Sequence, residues 1–199
     1  MNRDIEIVRL AITINDDLCQ AIAYYEVFAP SGLDASLINR VNDHEIHVGF
    51  NVVSEALDLE LGVITTLCRI WDKTQGTARI TEVVKRLRKN RDLVSDQTAF
   101  AQWQADVETF EKSDHLTALR AFRNVGLAHR NDPNVPDPRS KSNTRRVMCG
   151  DARIVLEGTI PIVHRLNSLI KGVIHSPDFD RKRHEWELRA GKFWDAVVR

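Results

Sequence analysis

The stretch SDHLTALRAFRNVGLAHRND, residues 113–132, decides which fold the sequence favours. Its apolar residues recur every three or four positions, which is the spacing of one buried helix face. That stripe consists of Leu119, Phe122 and Val125 with Gly126. Ser113, or the aspartate after it, occupies the place of an N-cap, and Pro133 follows where a helix cannot continue. The pattern predicts a helix over about 114–130.

The same helical spacing extends over most of the remaining chain. It predicts helices over residues 3–28, within 34–72, over 79–90 with Thr81 as cap, and over about 96–112, 144–175 and 178–197. The sequence APSG at 29–32 predicts a break after the first helix, and Pro161 predicts a kink. No segment alternates apolar and polar residues for long enough to suggest a strand. The sequence therefore predicts an all-α helical bundle, a single domain over residues 1–199.

The composition is that of a folded globular protein, because 43% of the residues are hydrophobic and 28% are charged. No apolar run approaches the roughly 18 residues that cross a bilayer. The first ten residues, MNRDIEIVRL, include acidic side chains and lack the apolar core of a secretory signal. The cysteines Cys19, Cys68 and Cys149 are far apart and odd in number, which disfavours a disulfide framework. We therefore expect reduced thiols, a cytoplasmic location and no membrane association.

The charges are unevenly distributed along the chain, although the formal net charge is zero. Residues 1–72 contain four Lys or Arg against twelve Asp or Glu, whereas residues 121–199 contain fifteen against nine. Positive potential therefore belongs to the part of the chain that includes most of residues 113–132. An uneven scatter of surface charge is common in proteins, so this asymmetry alone assigns no partner.

Arg123 and His129 allow two explanations. A histidine and the neighbouring Arg130 at a helix C-terminus interact favourably with the helix dipole, so they can be ordinary capping residues. The second explanation is that they are working residues of an enzyme. Gly126 favours it, because a glycine inside a helix costs about 1 kcal/mol relative to alanine and therefore needs a reason. Such a glycine is useful where another helix or a ligand backbone approaches closely.

The sequence RNVGLAHR, residues 123–130, resembles the signature of the HEPN superfamily (higher eukaryotes and prokaryotes nucleotide-binding domains). In that signature an arginine, commonly followed by a polar residue, precedes a histidine near the end of a helix. Here Arg123 and Asn124 precede His129, and the surrounding LRAFRNVGLAHRND is similar to abortive-infection members of the Abi-U type. With the upstream ITTLCRIWDKTQGTARITEVVKRL, the likeness covers about 50–135. It implies a HEPN-like bundle with additional flanking helices.

The resemblance also implies a metal-independent endoribonuclease that uses no cofactor. In the ribonuclease members two protomers join their motifs across a dimer cleft, and the RNA's own 2′-hydroxyl attacks the adjacent phosphodiester. Arg123, Asn124 and His129 would then be the catalytic residues. A histidine moves protons near neutral pH, and an arginine offers a charged fork to a phosphate. An asparagine can orient the arginine or donate to a phosphate oxygen.

The surroundings of the motif fit that role. Residues 123 and 129 point about 120° apart on an ideal helix, so one helix hardly focuses both on one phosphate. Two helices that meet near Gly126 could do so. Five basic residues nearby could follow the RNA backbone: Arg130, Arg139, Lys141, Arg145 and Arg146. The same residues would equally suit a solvated loop and the start of a helix.

Other candidate sites have less support. Arg40 and His47 share the motif spacing but lack the polar residue and the helix end. The histidines of HEIH, residues 44–47, are three apart, whereas the zinc-protease motif needs four and a further ligand, so no metal site is predicted. Asp72 could pair with a motif arginine or have a structural role. The four tryptophans are expected in the core or in an interface.

Three function classes remain open. The first is an endoribonuclease of a host-defence or toxin type, with RNA as substrate, a homodimer as the working form and an antitoxin as a possible partner. The second is a non-catalytic HEPN-like module that binds RNA, a nucleotide or a protein, and the third is a structural helical adaptor. HEPN proteins modified by a partner nucleotidyltransferase have a tyrosine shortly after the histidine. Here the only tyrosines are Tyr24 and Tyr25, so that control mechanism is not expected.

Overall fold

The computed structural model describes residues 3–44, 49–51, 53, 62–72, 79–123, 150–173 and 176–198. Within these ranges the named helices are α1 Arg3–Leu33, α2 Ala35–Asp43, α3 Val63–Ile70, α4 Ile80–Lys89, α5 Gln97–Glu111, α6 Asp114–Phe122, α7 Asp151–Leu169 and α8 Phe179–Val197. A 3₁₀ turn over Arg91–Leu93 lies between α4 and α5. The predicted all-α fold is confirmed, since the β-structure of the described ranges is a single isolated bridge.

The long helix α1 organises the bundle. It packs against α2, α3, α4, α7 and α8, while α7 also packs against α3, α5 and α6. The core face of α1 recurs at helical spacing and consists of Ile7, Ala11, Ile14, Leu18 and Ile22, each at most 1% exposed. A fully buried isoleucine or leucine side chain contributes about 1.5–3 kcal/mol through the hydrophobic effect. All of the named helices except α2 therefore contribute to one large apolar core. A second, smaller cluster is formed by Leu37, Val41, Phe50, Trp194 and Val198. The assignment of residues 1–199 to a single domain stays a prediction.

Three buried tryptophans join the helices through their rings and their indole nitrogens. The indole N–H groups donate from Trp71 to Thr159 Oγ1 at 2.8 Å, from Trp103 to Ile162 O at 2.8 Å, and from Trp194 to Val27 O at 2.6 Å. A buried donor without a partner costs about 1–3 kcal/mol, so these bonds make the burial of the indoles favourable. The predicted core role is confirmed for these three residues.

Helices α5 and α7 approach each other closely at Gly158. A Cβ built there would overlap the ring of Phe110, so at this position only glycine leaves room for the ring. The same ring packs against Trp71, with ring centroids 4.9 Å apart. The contact therefore joins α5 and α7 to the end of α3 at one point.

The predicted break at residues 29–32 is wrong, because α1 continues through Pro30 to Leu33. A proline removes one N–H donor, but the bonds on either side of it persist. The N–H of Asp34 donates to the carbonyl of Pro30 at 2.9 Å, and the Ser31 hydroxyl donates to Phe28 O at 2.7 Å. Near this end of α1, the Trp194 indole of α8 donates to the carbonyl of Val27 at 2.6 Å, and tertiary contact of this kind outweighs the local preference for a break.

The predicted helix over 144–175 ends earlier than expected, at Leu169. Beyond it Ile170 forms an antiparallel bridge with Val94. Two main-chain hydrogen bonds of 2.9 Å secure the bridge, from Ser95 N to Leu169 O and from Lys171 N to Leu93 O. These long-range bonds replace those that another helical turn would make. Pro161 lies inside α7, which continues through it.

Candidate functional site

Arg123 directly follows the last residue of α6. The helix begins at the predicted cap, where Ser113 Oγ accepts the N–H of Leu116 at 3.4 Å. Arg123 keeps helical dihedral angles of φ −56° and ψ −48°, and its N–H is still bonded to carbonyls of α6. Its side chain is 24% exposed. A capped helix therefore positions the backbone of this arginine, while its side chain stays accessible.

Asp72 lies between two arginines. Its Oδ2 is 3.2 Å from Arg123 Nη1, and its Oδ1 is 3.4 Å from Arg79 Nη1. The Asp72 side chain is 22% exposed, and that of Arg79 is only 8% exposed. Opposite charges at this distance attract each other, and partial burial reduces the screening of that attraction by salt. The structure therefore joins a motif arginine to Asp72, the pairing that the sequence leaves open beside a structural role.

Arg120, one turn before Arg123, binds the main chain next to this cluster. Its Nη2 donates to the carbonyl of Trp71, and the same nitrogen lies 3.5 Å from Glu111 Oε1. The Trp71 carbonyl lies at the C-terminal end of α3, where cationic side chains are favoured by the helix dipole. Arg120 of α6 and Arg123, three positions later, therefore both hold the segment Trp71–Asp72 that follows α3. The spacing of the two arginines is visible in the sequence, but the segment that both of them contact is not.

The start of α4 completes the frame around Asp72. Arg79, and not the predicted Thr81, is the N-cap of this helix. Thr81 is the second residue of the helix, and its hydroxyl donates to the main-chain carbonyl of Asp72 at 3.3 Å. The threonine thus bonds to another segment because the end of α3 approaches it. Asp72 is held through its backbone by α4 and through its side chain by Arg79 and Arg123.

Cys68 lies one turn before Asp72 and is fully buried. Burial raises the pKa of its thiol to about 11, against the smaller lowering effect of the Arg123 and Arg120 charges. At neutral pH the thiol is protonated, and a protonated thiol is a poor nucleophile. Cys68 therefore belongs to the packing beneath the cluster and has no reactive role there.

A histidine–aspartate pair that the sequence analysis missed joins the start of α6 to the start of α7. His115 Nδ1 is 2.6 Å from Asp151 Oδ1, and the Asp151 side chain is 2% exposed. Asp151 is the first residue of α7, where the helix dipole stabilises a carboxylate. The pair therefore ties together the two helices on either side of residues 124–149. The 36 positions that separate these residues in the sequence leave no local pattern that would reveal it.

Of the predicted site residues, Arg123 alone lies within the described ranges. Seven others fall outside them: Asn124, His129, Arg130, Arg139, Lys141, Arg145 and Arg146. Gly126 and His47 also lie outside these ranges. The roles assigned to all of these residues stay predictions.

A model of the HEPN family AbiU2 matches residues 6–188. The chain belongs to this family. The match reaches well beyond the region of about 50–135 on which the resemblance rests, and it includes most of α1 and about half of α8. The acidic N-terminal part is therefore part of the AbiU2 sequence pattern. None of the curated proteins or solved structures compared with the chain matches it.

Within the described ranges of this AbiU2 protein, no helix combines the length and the apolarity needed to cross a membrane. The same part of the chain contains no group of three or more His, Cys, Asp or Glu side chains arranged to hold a metal ion. The polar cluster at the end of α6 is built instead from arginines and a carboxylate, which suits the binding of an anion such as a phosphate.

Proposed function

We propose that this AbiU2-family protein is a metal-independent endoribonuclease that cuts RNA with Arg123, Asn124 and His129. The observation that carries the proposal is the position of Arg123, at the end of a capped helix, partly exposed and beside a carboxylate. An arginine held in this way offers a directed, permanently charged donor group to a phosphodiester. Membership of a HEPN family supports the reaction class.

The chemistry follows from the residue types. The 2′-hydroxyl of the RNA attacks the neighbouring phosphorus atom, and the bond from phosphorus to the 5′-oxygen breaks. His129 takes the proton from the 2′-oxygen or gives one to the departing 5′-oxygen. Arg123 stabilises the negative charge that grows on the phosphate oxygens, and Asn124 orients the arginine or donates to the phosphate. The products are a 2′,3′-cyclic phosphate and a 5′-hydroxyl.

A dimer can bring an arginine and a histidine to the same phosphate, which one helix cannot do. Residues 123 and 129 point about 120° apart on an ideal helix, so the arginine of one protomer acts with the histidine of its partner across a cleft. Arg130, Arg139, Lys141, Arg145 and Arg146 contact the RNA backbone on either side of the cut. We place this activity in the cytoplasm, as a host-defence or toxin function that an antitoxin restrains.

The decisive experiment is cleavage of RNA in EDTA by the wild type and by His129→Ala. We expect the wild type to cut and the variant to be inactive with an unchanged thermal unfolding midpoint, because a polar position near a helix end contributes little stability. His164→Ala is the matched control, since His164 is an exposed histidine of α7. Equal cleavage by the wild type and His129→Ala would refute the catalytic assignment. RNA binding without cleavage would favour the non-catalytic HEPN-like module instead.

A further inference from the structure

We propose that Asp72 is a positioning residue, which sets the direction of the Arg123 guanidinium toward the scissile phosphate and receives it again after product release. The inference rests on the proposed ribonuclease function. It starts from the contact between Asp72 Oδ2 and Arg123 Nη1, at 3.2 Å.

First, hydrogen bonds hold the main chain at Asp72 in place, so the position from which its carboxylate extends is fixed. Its own main-chain carbonyl accepts a hydrogen bond from Thr81 at 3.3 Å, and the carbonyl of the preceding residue, Trp71, accepts one from Arg120. Trp71 is fully buried, and its indole is bonded to Thr159 at 2.8 Å. A carboxylate anchored to three helices in this way can define a direction for a long, flexible arginine.

The second step concerns the unequal burial of the two arginines. Arg79 is 8% exposed and stays within the protein, whereas Arg123 is 24% exposed and can reach a ligand. When Arg123 turns part of its guanidinium to a phosphate, Asp72 keeps the charge of Arg79 beside it. A partly buried carboxylate without a nearby positive charge would be costly and would oppose RNA binding. The charge of Arg79 prevents this cost. Arg79 thus makes it easy for Asp72 to share Arg123 with the substrate.

A second aspartate–arginine pair shows what a structural clamp in this fold looks like. Asp17 binds Arg69 through two bonds, of 2.6 and 3.0 Å, and joins α1 to α3. Its carboxylate is more buried than that of Asp72, with 13% of the side chain exposed. Asp17 therefore provides a matched control, because neutralising either aspartate removes an ion pair with an arginine of a neighbouring helix.

The test compares Asp72→Asn, Asp72→Glu and Asp17→Asn by kcat and KM on a short RNA. We expect Asp72→Asn to lower kcat about 10- to 100-fold while KM changes less than about threefold, since misdirection of one catalytic group has effects of this size. Asp72→Glu should recover part of kcat, and Asp17→Asn should keep the wild-type kcat. If Asp72 had a purely structural role, both asparagine variants would be less stable, and Asp72→Asn would not lower kcat much more than it changes KM.

Two further measurements keep the inference distinct from the proposed function. In the Arg123→Lys background, Asp72→Asn should reduce kcat little further, because Asp72 acts through the arginine. The Arg123 Nε–Hε NMR resonance, assigned by its loss in Arg123→Lys, should shift in Asp72→Asn whether or not the protein cuts RNA. An unchanged resonance, or additive kinetic effects, would overturn the positioning role. If the wild type does not cut RNA but the resonance shifts, the ribonuclease proposal fails and the orienting contact stands.

Discussion

Replacing Arg123 with lysine separates a catalytic arginine from one that only attracts RNA. Lysine keeps the positive charge but lacks the planar fork that binds two phosphate oxygens at once. If Arg123 stabilises the charge that builds on the phosphate, the substitution should lower turnover far more than it weakens binding. If Arg123 only attracts RNA, lysine should replace it with little loss, and any loss should appear in binding and depend on salt.

The structure gives the expected cost in stability. Arg123 Nη1 and Asp72 Oδ2 are 3.2 Å apart, and about a quarter of each side chain is exposed. Unit charges at that distance attract by about 5 kcal/mol at an effective dielectric constant of 20. Desolvation and lost side-chain freedom offset most of this attraction, so we expect Arg123→Lys to lower the unfolding free energy by about 1 kcal/mol or less. For a chain of this size the unfolding midpoint then falls by at most about 2–4 °C.

The expected loss of activity is much larger. Removal of one donor to a developing oxyanion typically lowers kcat by about 10²- to 10³-fold. The assay is turnover of a short RNA at saturating concentration, together with binding of an uncleavable 2′-deoxy analogue and thermal unfolding. Arg69→Lys, at the ion pair with Asp17, is the control and should leave turnover unchanged. A kcat for Arg123→Lys within about threefold of the wild type would refute the transition-state role.

Three other predictions concern assembly, metal dependence and thiol chemistry. Light scattering at micromolar concentration should show a homodimer, and a crosslink between the two copies of the 113–132 segment should form; a monomer, or a dimer with distant motifs, contradicts the cleft. Cleavage should persist in EDTA and leave 2′,3′-cyclic phosphate ends detectable by mass spectrometry; activity that returns only with added magnesium or manganese contradicts the mechanism. Cys68 should resist a thiol reagent at pH 8, because a pKa of about 11 leaves about one thiol in a thousand ionised. The unfolded protein should react at Cys68, and equal reaction of the native protein would show that this thiol is accessible.

The helices of this fold are predictable because their information is local. The apolar spacing and the serine cap of residues 113–122 predict α6, and the structure confirms both. The end of the first helix is not predictable in the same way. The sequence APSG at 29–32 has a strong local preference for a turn, whereas packing against α8 keeps α1 helical to Leu33. Local preferences of a few kcal/mol yield to tertiary contacts of similar size.

The candidate site is predictable in its motif but not in its environment. The motif with Asn124 and His129 identifies Arg123 in the sequence. The carboxylate that Arg123 contacts, however, lies 51 positions earlier in the chain. The sequence leaves Asp72 either as a partner of a motif arginine or as a structural residue, and nothing in the sequence selects between these roles. Arg79 and the His115–Asp151 pair were missed for the same reason, because only folding brings these side chains together.

The close approach at Gly158 offers a practical way to handle a protein whose activity is expected to harm the cell that produces it. An alanine methyl group there must displace the Phe110 ring, which in turn packs against Trp71 beside Asp72. Overpacking of this kind costs about 1–3 kcal/mol. Gly158→Ala is therefore a design for a heat-sensitive form, unfolded during growth at high temperature and refolded by cooling when the folded protein is wanted.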